Sequence, residues 1–147
     1  MAMRKATIGA ILAIALTGLM VSALGALVVT RTISSSGSIT AIGVGVYTTS
    51  TCTTALSSVP WGTVNPSSVT TYTIYVKNTG NAQETLNMTT SAWSPSSASS
   101  YITMTWNQTG TALAAGGVAT ALLTLTVSSS ISGITSFSFN ITISGTH

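Results

Sequence analysis

The sequence predicts an all-β domain, built as a two-sheet sandwich and preceded by an N-terminal hydrophobic helix or tail. Three observations carry this expectation. Residues 6–30 hold no charge and are fenced by Arg4 and Lys5 on one side and Arg31 on the other. The chain after Arg31 is rich in Ser and Thr, nearly uncharged, and alternates apolar with polar residues at period two. Turn signals cut this part into about six or seven short strands over roughly 110 residues, the spacing of a sandwich. The chain therefore divides into a membrane-directed segment, residues 1–31, a connector, 32–38, and one β domain, 39–147.

The apolar segment admits three readings. As a helix it reaches roughly 37 Å, enough to cross a bilayer core of roughly 30 Å with some tilt. In the first reading it is a secretory signal. Met1 to Lys5 form a basic n-region, Ala6 to Leu19 an apolar h-region, and Val21-Ser22-Ala23 a small-residue site with cleavage after Ala23. In the second it is an uncleaved anchor; the positive charges before it leave the N-terminus in the cytoplasm and the domain outside. The third comes from resemblance: Arg4-Lys5-Ala6 followed by an apolar run resembles the class III signal of archaeal type IV prepilins. That resemblance implies cleavage after Ala6 and a freed helix that becomes a filament core. Gly9, Gly18 and Gly25 would let such helices approach closely. From Leu27 the composition turns β-branched, with Val28, Val29, Thr30, Thr32 and Ile33. That piece reads equally as a strand. All three readings export the remainder.

Within the domain, Thr32 to Ser38 reads as a polar connector around Ser34-Ser35-Ser36-Gly37. Ile39 to Tyr47 is the first expected strand, with Ile42, Val44 and Val46 on one parity. Thr48 to Val69 reads as irregular, with Pro60, Gly62 and Pro66 as turn makers and Trp61 as a core plug at the corner. Thr70 to Asn78 is a strong strand, closed by the turn Asn78-Thr79-Gly80-Asn81. Glu84 to Thr90 follows with Leu86 and Met88 inward, and Trp93-Ser94-Pro95 opens a loop. Tyr101 to Gln108 carries Ile102, Met104 and Trp106 on one face, and Asn107 to Gly117 turns. Val118 to Ser128 points Ala121, Leu123, Leu125 and Val127 inward; Leu122 breaks the alternation, as in a strand covered on both faces. The final strand alternates Phe137, Phe139, Ile141 and Ile143 with Ser136, Ser138, Asn140 and Thr142.

Composition narrows the function. Charged residues are 3% of the chain, against about 25% in ordinary soluble proteins. Glu84 is the single acidic side chain. General acid–base chemistry therefore has almost no material, and the expectation is a protein that is not an enzyme. No residues stand at metal-ligand spacing and no motif calls for a cofactor. The domain lacks the basic patch of a nucleic-acid binder. Acid unfolding is mostly the protonation of native carboxylates, so a chain this poor in them should tolerate acid. Cys52, the lone cysteine, reads as a small buried hydrophobe, or else as half of an intermolecular disulfide.

Three sequons stand out: Asn87-Met88-Thr89, Asn107-Gln108-Thr109 and Asn140-Ile141-Thr142. In the expected strands each asparagine falls on outward parity, where a glycan fits. Asn65-Pro66-Ser67 is excluded by its proline.

The segment Val76-Lys77-Asn78-Thr79-Gly80-Asn81, the Trp61-Gly62 corner, Trp93 and Trp106 together resemble an immunoglobulin-like domain of archaeal surface proteins. The Cys–Trp–Cys signature of antibody domains is missing. With the apolar N-terminal segment, the whole is similar to archaeal pilins and to the donor-strand filaments called threads. The resemblance implies an extracellular homopolymer that touches the membrane at least transiently and carries glycans. Assembly would run through helix packing, or through a tail strand that includes Leu24, Leu27, Val28, Val29 and Ile33. The alternative is a monomeric, membrane-anchored surface domain for adhesion or binding, with Tyr47, Tyr75 and Tyr101 as exposed aromatics.

Overall fold

The computed structural model describes residues 33–147. The expectations for residues 1–31, including cleavage after Ala6 or Ala23 and a strand through Leu24, Leu27, Val28 and Val29, lie outside the described residues. The described part is all-β and forms two sheets, consistent with a β-sandwich. Its strands are β1 (Ile33–Ile42), β2 (Val44–Tyr47), β3 (Ser58–Val64), β4 (Val69–Asn78), β5 (Glu84–Ser94), β6 (Ile102–Trp106), β7 (Ala112–Leu113), β8 (Val118–Val127) and β9 (Ser136–Thr146). A short 3-10 helix, Ser96–Ser100, joins β5 to β6.

The sheets run β3-β1-β9-β5-β7 and β2-β4-β8-β6. Their inner faces share one core. Phe137, Phe139, Ile141 and Ile143 of β9 meet Ala121, Leu123, Leu125 and Val127 of β8, all 4% exposed or less. The alternation in the sequence is thus read out directly: the even positions of β9 are Ser, Asn and Thr facing away from the core. Each Ile, Leu or Phe so buried contributes about 1.5–3 kcal/mol of transfer free energy. Trp61 plugs the core as expected, edge-on to Tyr72 at 6.3 Å between ring centroids.

Several boundaries differ from the expectation. Residues 33–38 are not a connector but the first part of β1, and Ile33 is fully buried. The serine run misleads because serines on an outward-facing strand look, by composition, like a linker. The strand expected over Ile39 to Tyr47 is two strands in different sheets, broken at Gly43. Gly43 takes φ +75°, open to glycine at little cost. The stretch expected to be irregular contains β3, with Val59, Trp61 and Val64 inward across a Gly62 at φ +70°. The expected turn at 107–117 contains β7. Leu122 is not covered on its outer side; it is 40% exposed. Cys52 is half-buried in the loop after β2, at φ +52°, and takes no part in the core.

β5 runs four residues past its expected end. A bulge between Ser91 and Ser94, with Ala92 at φ +52°, bends it. The bend turns Trp93 inward, flat on Phe139 at 4.2 Å and 8° between planes.

Candidate functional site

The residues of interest lie on strand positions, so the sheet register places them. β1 is the element that joins the N-terminal segment to the domain. It lies between β3, antiparallel, and β9, parallel. Ser34 to Ile42 pair in unbroken register with Ser136 to Ser144. Ile33, expected in a polymerising tail, packs in the core of its own chain instead of standing free. β1 connects to β2 through Gly43 alone, and the residues at that hinge pass from one sheet to the other.

Among the described residues β5 and β6 leave the longer stretches of edge open; β3 and β2 are also edge strands, β3 carrying Pro60 and β2 bridged by residues 54–56. β7 covers only Glu84 and Thr85 of β5, and main-chain bonds from residues 110–111 reach Leu86. Beyond that, β5 pairs only with β9. β6 pairs only with β8. Beyond the stretch of β5 that β7 covers, where Glu84 is buried, neither strand carries an inward charge or an internal proline, devices that blunt an edge.

The outward face of the five-stranded sheet is largely hydroxylic, with Ile42, 55% exposed, opposite Ser144 at one end. Ser38, Asn140 and Ser91 form one row across β1, β9 and β5; Thr40, Thr142 and Thr89 form the next. Asn87 stands opposite Ser144 on the same face. Asn107 follows β6 at the edge of the other sheet, and its Oδ1 accepts the Leu122 N–H at 2.8 Å. All three sequon asparagines are exposed. The outward face of the four-stranded sheet is different in kind. It presents Val69, Val118 and Leu122, and pairs Tyr47 directly with Tyr75.

An open groove of about 430 Å³ lies where β5 bends away from β9. It is lined by Ser34, Ser36, Ser94, Pro95, Ser136 and Ser138 among others. Hydroxyls without a titratable neighbour supply hydrogen bonds but no nucleophile activation. Among the described residues no group of three or more His, Cys, Asp or Glu could hold a metal ion.

Two buried polar residues escaped the sequence reading. Asn78 is fully buried; its Nδ2 donates to Ala82 O at 2.7 Å and Leu113 O at 2.9 Å, and its Oδ1 accepts from Gly80 N. The Asn-Thr-Gly-Asn turn signal marked the place but not the burial. Glu84 is 5% exposed, and its Oε2 finds no donor among the described residues. It lies against the backbone of Gly43, Gly80 and Gly145, three positions whose lack of Cβ makes room for it.

Comparison with protein-family models, with curated proteins and with solved structures returns no match.

Proposed function

We propose that this chain is a structural subunit of an extracellular filament, with an immunoglobulin-like sandwich that polymerises through its N-terminal segment. The observation that carries this reading is the position of β1. In the constant-type immunoglobulin arrangement one sheet runs A-B-E-D and the other C-F-G. The order β2-β4-β8-β6 fits the first, and β5 and β9 fit C and F. The place of G, beside F, is taken by β1 in parallel register. A sheet position filled by an N-terminal strand is one that the same strand of a neighbouring copy can fill through identical main-chain hydrogen bonds. The hinge favours exchange: a one-residue link at Gly43 is the kind of short connection that invites swapping between copies. Exchange from one copy to the next, repeated, gives an open filament. Residues 24–32 immediately precede β1 and would extend the donated strand. Thr/Ser hydroxyls and glycans at Asn87, Asn107 and Asn140 would keep a nearly uncharged surface hydrated.

The second reading, an anchored adhesion domain, is favoured by one observation. Tyr47 and Tyr75 are cross-strand partners on the outer face, both half-buried, and aromatic side chains at such positions can stack on sugars. The native N-terminus separates the readings. Mass spectrometry of protein from the cell exterior gives Leu24 or a near neighbour for a strand donor, Thr7 for a pilin helix, and an intact Met1 for an anchored monomer. A chain found in the cytosol would refute both.

A further inference from the structure

We propose that the three sequons differ in when they can be modified: Asn140 accepts a glycan only before β9 enters the sheet, whereas Asn107 stays open to transfer after folding. This rests on the reading of the domain as exported and glycosylated, and it adds an order to export, modification and folding.

The transfer joins Asn Nδ2 to C1 of a sugar. The donor is an oligosaccharide on a polyprenyl phosphate or pyrophosphate. The C1–O bond to the lipid phosphate breaks and the phosphate leaves with the bonding pair. Nδ2 gives up one proton, taken by a basic group of the transferase, as the N–C1 bond forms. A transferase must grip the asparagine and the threonine two residues on, so it needs that piece of chain free of its neighbours.

At Asn140 the fold forbids this. Ser38 of β1 pairs with it on one side and Ser91 of β5 on the other. Phe139, Ile141 and Ile143 flank the sequon at 1% exposure or less. Drawing residues 140–142 out breaks two ladders and strips the core, so the opening costs close to the full stability of the domain. A glycan installed earlier is nonetheless accommodated. Asn140 points outward, and Ser38, Ser91, Ser138 and Thr142 around it are small.

Asn107 lies just past the end of β6, outside the strand ladders, and its sequon is held by side-chain bonds. Its Oδ1 accepts from Leu122 N–H, Gln108 Nε2 donates to Thr120 O at 2.7 Å, and Trp106 Nε1 donates to Thr109 Oγ1 at 2.7 Å. Releasing residues 107–109 breaks these side-chain bonds and leaves both the ladders and the main-chain bonds of residues 110–111 to Leu86 in place, so it costs far less than global opening. Asn87 is intermediate, on a strand paired along one edge only at that point.

The test uses the full chain, produced unglycosylated and folded in detergent, with a purified oligosaccharyltransferase and a lipid-linked donor. Asn87→Gln with Asn107→Gln leaves Asn140 as the single acceptor; Asn87→Gln with Asn140→Gln leaves Asn107. A free peptide of residues 136–146 reports the unhindered rate. Glycopeptide mass spectrometry should find Asn140 of the folded chain modified on the order of 10³-fold or more below the peptide, and Asn107 within roughly tenfold of its own peptide. Ile141→Val keeps the sequon and loosens the core, and should raise the Asn140 rate by about 2- to 10-fold. Modification of Asn140 in the folded chain at the peptide's rate overturns the order. A free peptide that is never modified overturns glycosylation itself.

Discussion

The Glu84 carboxylate rests on the main chain of Gly145: a methyl group built at Gly145 would collide with Oε2. Gly43 and Gly80 crowd the same carboxylate from other sides. The only acidic side chain of the protein is thus buried where three glycines leave a hollow, and Asn78 knits the neighbouring turn. This pole of the sandwich is held by shape and backbone contact.

It follows that Gly145→Ala should destabilise the domain by about 2–3 kcal/mol through overpacking. In a Glu84→Ala background the same substitution should cost less by more than about 1 kcal/mol, because the two residues compete for one space. Chemical denaturation of the four chains of this cycle checks the coupling; additive effects would contradict the contact.

Ile33 anchors the start of β1 in the core. Ile33→Ala should therefore cost about 2–4 kcal/mol, far more than a substitution in a flexible connector. Hydrogen exchange offers an independent check: amides of Ser36 to Ile42 should be protected along with those of β9.

Cys52 sits in the loop after β2, with its Sγ 3.7 Å from Ser50 O. A maleimide should label it in the native protein without denaturant, at a rate limited by partial cover and not by unfolding. Labelling only in denaturant would return Cys52 to the core.

Acid should trouble this protein little. The chain contains one acidic side chain, so acidification adds few protons to the folded or unfolded state, and stability changes only where their uptake differs. Between pH 7 and pH 3 the Tm should fall by no more than about 5 °C, the equivalent of roughly 1 kcal/mol. Calorimetry across that range checks it.

How far the fold was legible depends on how loudly each strand alternates. β4, β8 and β9 carry large apolar residues at period two, and their inward faces were read correctly down to Phe139 and Leu123. β1 was missed over Ile33 to Ser38 because small serines outward and Gly37 inward give no hydrophobic alternation; only pairing to β3 and β9 makes that segment a strand. β3 was hidden by Pro60 and Gly62, which an edge strand tolerates. The outward positions of the three sequon asparagines followed from parity alone. The asymmetry between a hydroxylic face and a face bearing Val118, Leu122 and the Tyr47–Tyr75 pair did not, because it depends on which strands share a sheet. The burial of Glu84 and Asn78 was likewise invisible, since both stand at strand ends where period two gives no warning.

The central claim is that β1 is an exchangeable strand, and a cysteine pair across its register tests it. Ser36 and Ser138 lie opposite one another on β1 and β9, facing outward. Ser36→Cys and Ser138→Cys, combined in a Cys52→Ser chain and oxidised in native filaments, should yield a ladder of covalent multimers on non-reducing gels, because the two cysteines that meet belong to successive copies. Filaments that release only intrachain-bridged monomers would contradict strand exchange.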